Sequence, residues 1–241
     1  MYFVKEIISG PMVEVVKSFT MGMVKNHDRS GRIKKTPEEV MKINERNAVK
    51  ELARKIACNF QDGDIWLTLT YRKEKRPTPE RAKKELSRCL RRVGYRFKKA
   101  GCELKWIAVT EYESKAIHHH LVVNNPDALN VAKILCECWK ENGIAHIKPL
   151  YSQGDYRALA EYMVKETKKT FRENGGCRKR WSCSRNLAKP IVKYRLVRKA
   201  KRWTPNPKAK KGYRIDTDSI VNGVNKWTGK EYQSYTMVRL E

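Results

Sequence analysis

Polar and apolar residues alternate along 65–71, Ile65-Trp-Leu-Thr-Leu-Thr-Tyr71, which predicts a strand with one buried face. Two short apolar runs between Trp106 and Asn124 flank a polar turn at Glu113-Ser114-Lys115 and predict a hairpin. Helical periodicity appears in four places. Thr36-Pro37-Glu38-Glu39 is a helix start, and the helix runs to about Asn59 with Val40, Ile43, Ala48, Leu52 and Ile56 near one face. Thr78-Pro79-Glu80 starts a second helix that reaches about Ala100. A third covers 130–141, is stopped at Asn142-Gly143, and leads into a strand over 144–150. A fourth spans 155–169, with Asp155 as its N-cap.

At the ends, weak alternation over 1–24 around Ser9-Gly10-Pro11 predicts one hairpin, and Thr228-Gly229 marks another. A basic link, 25–35, follows the first. Strand, helix, hairpin, helix, strand and helix in this order give an α+β fold on a mainly antiparallel sheet. The expected organisation is an N-terminal hairpin and helix over 1–59, a central domain over 60–173, and a basic extension with a hairpin over 174–241.

Charge narrows the function. Fifty-three basic residues against 26 acidic ones leave a formal charge of +27, which calls for a polyanionic partner. Nucleic acid fits better than a membrane, because no segment reaches the roughly 20 apolar residues of a spanning helix. No secretory signal is visible, so a cytoplasmic protein is expected. The seven cysteines lack Cys-x-x-Cys spacing and read as reduced thiols, not as a zinc site. The helix 79–100 is dense in cations, among them Lys83, Lys84, Arg88, Arg91 and Arg92. Residues 177–203 hold eleven Lys and Arg with Trp181, Tyr194 and Trp203 interleaved, a pattern for phosphate contacts and base stacking. Arg178, Lys179, Arg180, Trp181 and Arg185 are the DNA-contact candidates there; a solvated basic extension is the competing reading.

The central hairpin carries His118-His119-His120. On a strand His118 and His120 share one face and His119 takes the other. If the loop is even in length and centred on Ser114-Lys115, Glu111 stands opposite His118 with His120 one diagonal step away. Two imidazoles and a carboxylate then converge as ligands for a divalent metal. An odd loop would turn Glu111 to the opposite face. His119 would share the core face with Ile117, Leu121 and Val123 as a buried neutral imidazole.

Downstream, Tyr162 and Lys165 are spaced i, i+3 and lie on one helical face. A phenol beside a cation and a metal is favoured as phenolate and can attack phosphorus. Tyr156 is the competing nucleophile but has no lysine three residues on.

Trp66-Leu-Thr-Leu-Thr70, His118-His-His-Leu-Val-Val123 and Tyr162-Met-Val-Lys165, in that order, resemble the three motifs of HUH endonucleases. The likeness covers roughly 60–170 and is greatest to rolling-circle replication initiators of plasmids and phages with a single catalytic tyrosine. It implies a five-stranded antiparallel sheet flanked by helices, Mg²⁺ or Mn²⁺ on Glu111, His118 and His120, Tyr162 as nucleophile and Lys165 as helper cation. It further implies single-stranded origin DNA as substrate, a 5′-phosphotyrosine intermediate, and a host polymerase and helicase as partners. One departure is His119, where the family usually has a bulky apolar residue. No Gly-x4-Gly-Lys-Ser/Thr phosphate loop is present, so no helicase of its own is expected. A relaxase or transposase would use the same chemistry, though relaxases of this type carry an N-terminal tyrosine. A non-catalytic nucleic-acid-binding protein would share the charge but leave the Glu/His/His face unexplained. A histidine-triad hydrolase needs a histidine at position 122, which is Val122.

Overall fold

A computed structural model describes residues 1–19, 36–112, 116–151, 155–167, 180–225 and 229–240. The basic link 25–35, the turn at Ser114-Lys115, the hairpin tip at Thr228, and Arg178 and Lys179 lie outside the described residues. The fold is α+β, with two five-stranded antiparallel sheets and four helices among the described residues. The chain divides into two units, 48–188 and 1–47 with 189–241, and the boundary falls inside the first helix.

In the 48–188 unit the strands are β3 (Ile65–Tyr71), β4 (Trp106–Glu111), β5 (His118–Val123), β6 (Gly143–Pro149) and the two-residue β7 (Ser182–Cys183). Their order is β6-β3-β5-β4-β7. The expected helices are present: α1 (Pro37–Ala57), α2 (Pro79–Lys99), α3 (Val131–Trp139) and α4 (Arg157–Glu166). Thr78 caps α2, accepting from Arg81 N, and Pro79 supplies the preset φ of a first turn. Asn130 caps α3 in the same way through Lys133 N.

Two helical expectations need correction. In α1 only Leu52, Ala53, Ile56 and Ala57 are buried, while Val40 is exposed and Ile43 and Ala48 are only partly covered. The first half of the helix therefore has no apolar seat, whatever its periodicity. In α4 the N-cap position is Tyr156, not Asp155; Asp155 still accepts from Arg157 N at 2.9 Å, one residue earlier than expected.

Alternation assigns the sheet's two faces. Ile65, Leu67, Leu69 and Tyr71 of β3, His119, Leu121 and Val123 of β5 and Ala108 of β4 point to one side. The apolar stripe of α2 (Ala82, Leu86, Cys89, Leu90, Val93, Phe97) and that of α3, ending in Trp139, close over this side as one core. Gly143 is required beside it: a Cβ there would lie 2.0 Å from Thr70 O, so any side chain would push β6 off β3. Trp66, Thr68 and Thr70, Val109 and Glu111, and His118, His120 and Val122 point to the other side.

The other unit contains β1 (Tyr2–Ser9), β2 (Met12–Ser18), β8 (Ile191–Val197), β9 (Tyr213–Val224) and β10 (Glu231–Arg239), in the order β8-β1-β2-β10-β9. Both expected terminal hairpins form, but they pair with each other through β2 and β10, from Met12↔Val238 to Ser18↔Tyr232. Segments read as separate N-terminal and C-terminal appendages thus make one sheet, whose core includes Val4, Val13, Val15, Tyr235 and Met237. Sequence patterning finds each hairpin because its strands are adjacent in the chain; pairing across more than 200 residues leaves no local mark.

Candidate functional site

The register of β4 on β5 sets Glu111 opposite His118, Thr110 opposite His119 and Val109 opposite His120. Glu111 Oε2 lies 3.3 Å from His120 Nε2 and 3.7 Å from His118 Nδ1. His120 is nearly sealed, Glu111 is mostly covered, and His118 is the most accessible of the three side chains. Burial is the main cause lowering the His120 pKa, and the Glu111 carboxylate opposes it.

Two residues of β3 that the motif quotes but to which sequence reading gave no role complete this surface. Thr68, opposite His120, places its Oγ1 3.1 Å from His120 Nδ1. That contact occupies one ring nitrogen and aims Nε2 at Glu111, the arrangement by which outer partners fix a ligating histidine. Trp66 stacks on the His120 ring at 5.6 Å with 4° between planes. The signal for both was available: Trp66, Thr68 and Thr70 alternate on one face of β3, and β3 pairs with β5.

Tyr162 of α4 comes to the same place. Its ring meets His120 edge-on at 5.4 Å and Trp66 edge-on at 6.0 Å. It is 43% exposed, so the phenol end can meet a polymer from solvent. Lys165 is exposed on the same helical face. Tyr156 does not join them: it is buried to 1% and donates to Phe60 O at 3.1 Å. Its hydroxyl is a core hydrogen bond with no route to a substrate.

His119 is the buried neutral histidine expected, held by two partners and not one. Its Nε2 is 2.8 Å from Tyr71 Oη and its Nδ1 2.9 Å from Thr110 Oγ1, with the Tyr71 and Trp139 rings edge-on against it. Desolvation first, then the neighbouring histidines, push its pKa down to about 3.

The donor chemistry of Glu111, His118 and His120 fits a divalent cation that accepts nitrogen and carboxylate ligands. Their 3.3 and 3.7 Å spacings sit near the roughly 3 Å between adjacent ligands of a small octahedral ion. Among the described residues no three His, Cys, Asp or Glu side chains form a finished metal cluster, and Glu111 contacts the imidazoles directly.

The basic residues scatter more than the sequence implied. Lys83, Lys84, Arg88, Arg91 and Arg92 are exposed, but α2 covers the His119 face of the sheet, opposite Tyr162. Arg92 is also used structurally, donating to Cys138 O. A strand lying on α2 is therefore not in line with Tyr162, as had been expected. Hydrophobic periodicity gives a helix its buried stripe but not the side of the sheet that receives it. In the 180–188 stretch, Arg180 and Trp181 are half-buried and Arg185 is exposed. The run 182–184 is pinned to the sheet edge, where Ser184 N donates to Trp106 O. Trp203 is not a stacking residue: it packs on Tyr2 and Phe19 in the second sheet's core. Tyr194 is exposed, with Lys5 Nζ 5.7 Å from its ring centre.

Residues 64–171 match a family model of replication-associated proteins, the ORF2 family. The matched segment holds β3, the histidine hairpin and α4, so it contains every residue of the Glu111–Tyr162 surface. No curated protein and no solved structure gives a significant match. Among the described residues, no helix is long and apolar enough to cross a membrane.

Proposed function

We propose that this chain nicks and rejoins single-stranded DNA at a replication origin, using Tyr162 as nucleophile and Glu111, His118 and His120 as holders of Mg²⁺ or Mn²⁺. The observation that carries the reading is the seat of Tyr162, edge-on to His120 in the same surface as Glu111 and His118. Neither a binding module nor a core tyrosine needs a half-exposed phenol beside two imidazoles and a carboxylate. The match of residues 64–171 to a replication-associated family supports origin DNA over other single strands.

A bound divalent cation would supply charge neutralisation at a non-bridging phosphate oxygen. The remaining work falls to this chain's own groups. Trp66, stacked on His120 and edge-on to Tyr162, fixes both rings. Thr68 holds His120 in one orientation. Tyr162 Oη forms a bond to phosphorus as the bond to the 3′ oxygen breaks. The phenolic proton is released, the 3′ oxygen leaves and is protonated, and the 5′-phosphate stays on the tyrosine. Lys165 favours the phenolate by its charge. One phosphodiester replaces another, so the reverse attack by a 3′-hydroxyl rejoins the strand. A free 3′ end could meanwhile prime a host polymerase, with a host helicase opening the duplex.

The test is incubation of the purified chain with a library of single-stranded origins and Mn²⁺, followed by sequencing of 5′ ends that remain protein-bound. A covalent adduct on Tyr162 is expected. Cleaved DNA with free 5′ ends, or no adduct with any strand, would overturn the reading.

A further inference from the structure

The back of the central sheet holds a surface that the proposed chemistry does not use. From Arg88 to Lys99, α2 has six Lys and Arg and no acidic residue. Arg88, Arg91, Arg92, Tyr95, Arg96 and Lys99 follow one another at helical spacing and are all exposed. The stretch from Arg91 to Ala100 borders a shallow concavity of about 840 Å³, in the size range of a small-ligand site.

Two of these cations serve the fold. Arg92 donates to Cys138 O, and Arg96 is ion-paired with Glu137. Arg91 and Lys99 make no side-chain hydrogen bond or ion pair among the described residues. Tyr95 is 70% exposed, and the buried stripe of α2 is complete without it, from Ala82 to Phe97. Packing thus gives no reason for an aromatic ring at this point. A flat ring set among cations does what single-stranded nucleic acid asks: a stacking plane for a base and charges for the flanking phosphates.

The geometry points to a second single-stranded DNA site on α2, with Tyr95 stacking a base and Arg91 and Lys99 taking the adjacent phosphates, on the opposite side of the sheet from Tyr162. Single-stranded DNA is favoured over duplex because duplex phosphates would use the charges but leave Tyr95 without a base. The identity of the ligand rests on the nucleic-acid reading above, but the site's existence does not depend on Tyr162 chemistry.

The experiment uses the full chain carrying Tyr162→Phe, so that binding is read without any covalent step. With oligothymidine of about 40 residues, adding Tyr95→Ala should weaken binding roughly tenfold, whereas Tyr95→Phe, which keeps the ring, should bind as the parent does. Lys99→Gln should weaken binding and flatten its salt dependence. Photo-cross-linking with 5-iodouracil in the oligonucleotide should label the peptide containing Tyr95. Unchanged affinity in Tyr95→Ala, or no cross-link within 79–99, would overturn the site. Equal losses on duplex DNA of the same length would overturn the single-strand assignment. Capture by phosphatidylserine vesicles that Tyr95→Ala abolishes, with DNA affinity intact, would give the surface to a membrane instead. Failure of the wild-type chain to form an adduct would leave these readouts untouched, so the two readings fail separately.

Discussion

The two faces of the β6-β3-β5-β4-β7 sheet put neighbouring histidines to opposite uses. On one face His119 is sealed, satisfied at both ring nitrogens by Tyr71 and Thr110, and boxed by aromatic rings under α2 and α3. On the other, His118 and His120 share one carboxylate oxygen, and His120 meets an exposed tyrosine. Residue type is the same across the run; surroundings decide the chemistry. Complete hydrogen bonding and desolvation turn an imidazole into a neutral strut, whereas one open nitrogen beside a carboxylate leaves it available as a ligand.

Substitutions that separate the faces should give separable defects. The largest effect is expected from Tyr162→Phe, which keeps the ring contacts with His120 and Trp66 but removes the attacking oxygen. Its covalent DNA adduct should vanish on a denaturing gel while thermal stability stays at the parent value. An undiminished adduct would move the nucleophile elsewhere. His120→Ala should lower Mn²⁺-dependent cleavage by at least about 100-fold with DNA binding kept.

His119→Ala should act in the reverse sense. It leaves a cavity and strips Tyr71 and Thr110 of partners, for an expected loss of roughly 3 kcal/mol in urea unfolding. Metal binding measured by calorimetry on the folded fraction should persist. If His119→Ala lost metal and His120→Ala lost only stability, the assignment of faces would be inverted.

Smaller effects sharpen the contrast. Thr68→Val removes the partner that orients His120 without touching the open nitrogen, so Mn²⁺ affinity should fall about 10-fold. No change there would mean that the Trp66 stack alone fixes the ring. Tyr156→Phe should cost about 1 kcal/mol, because it strands the buried Phe60 carbonyl, and leave adduct formation at wild-type rate.

What the sequence determined follows from short-range rules. Alternation placed β3 and the histidine hairpin, capping residues Thr78 and Asn130 lie where α2 and α3 begin, and the period of two separated His119 from His118 and His120. Those are properties of a few adjacent residues, and any backbone of that sequence would express them. The loop parity that puts Glu111 opposite His118 was one of two open possibilities until strand pairing chose it.

Three features were decided only by tertiary structure. The first and last hairpins joined through β2 and β10, since edge strands pair by shape and register wherever the chain brings them. The cationic helix α2 went to the side of the sheet away from Tyr162, because an apolar stripe states that it must be buried but not beneath which face. Trp66, Thr68 and Tyr162, distant in sequence, converged on His120, because a sheet face collects alternate residues from paired strands and a helix laid across it adds one more. The sequence held the donors and the nucleophile; only packing could bring them to one surface.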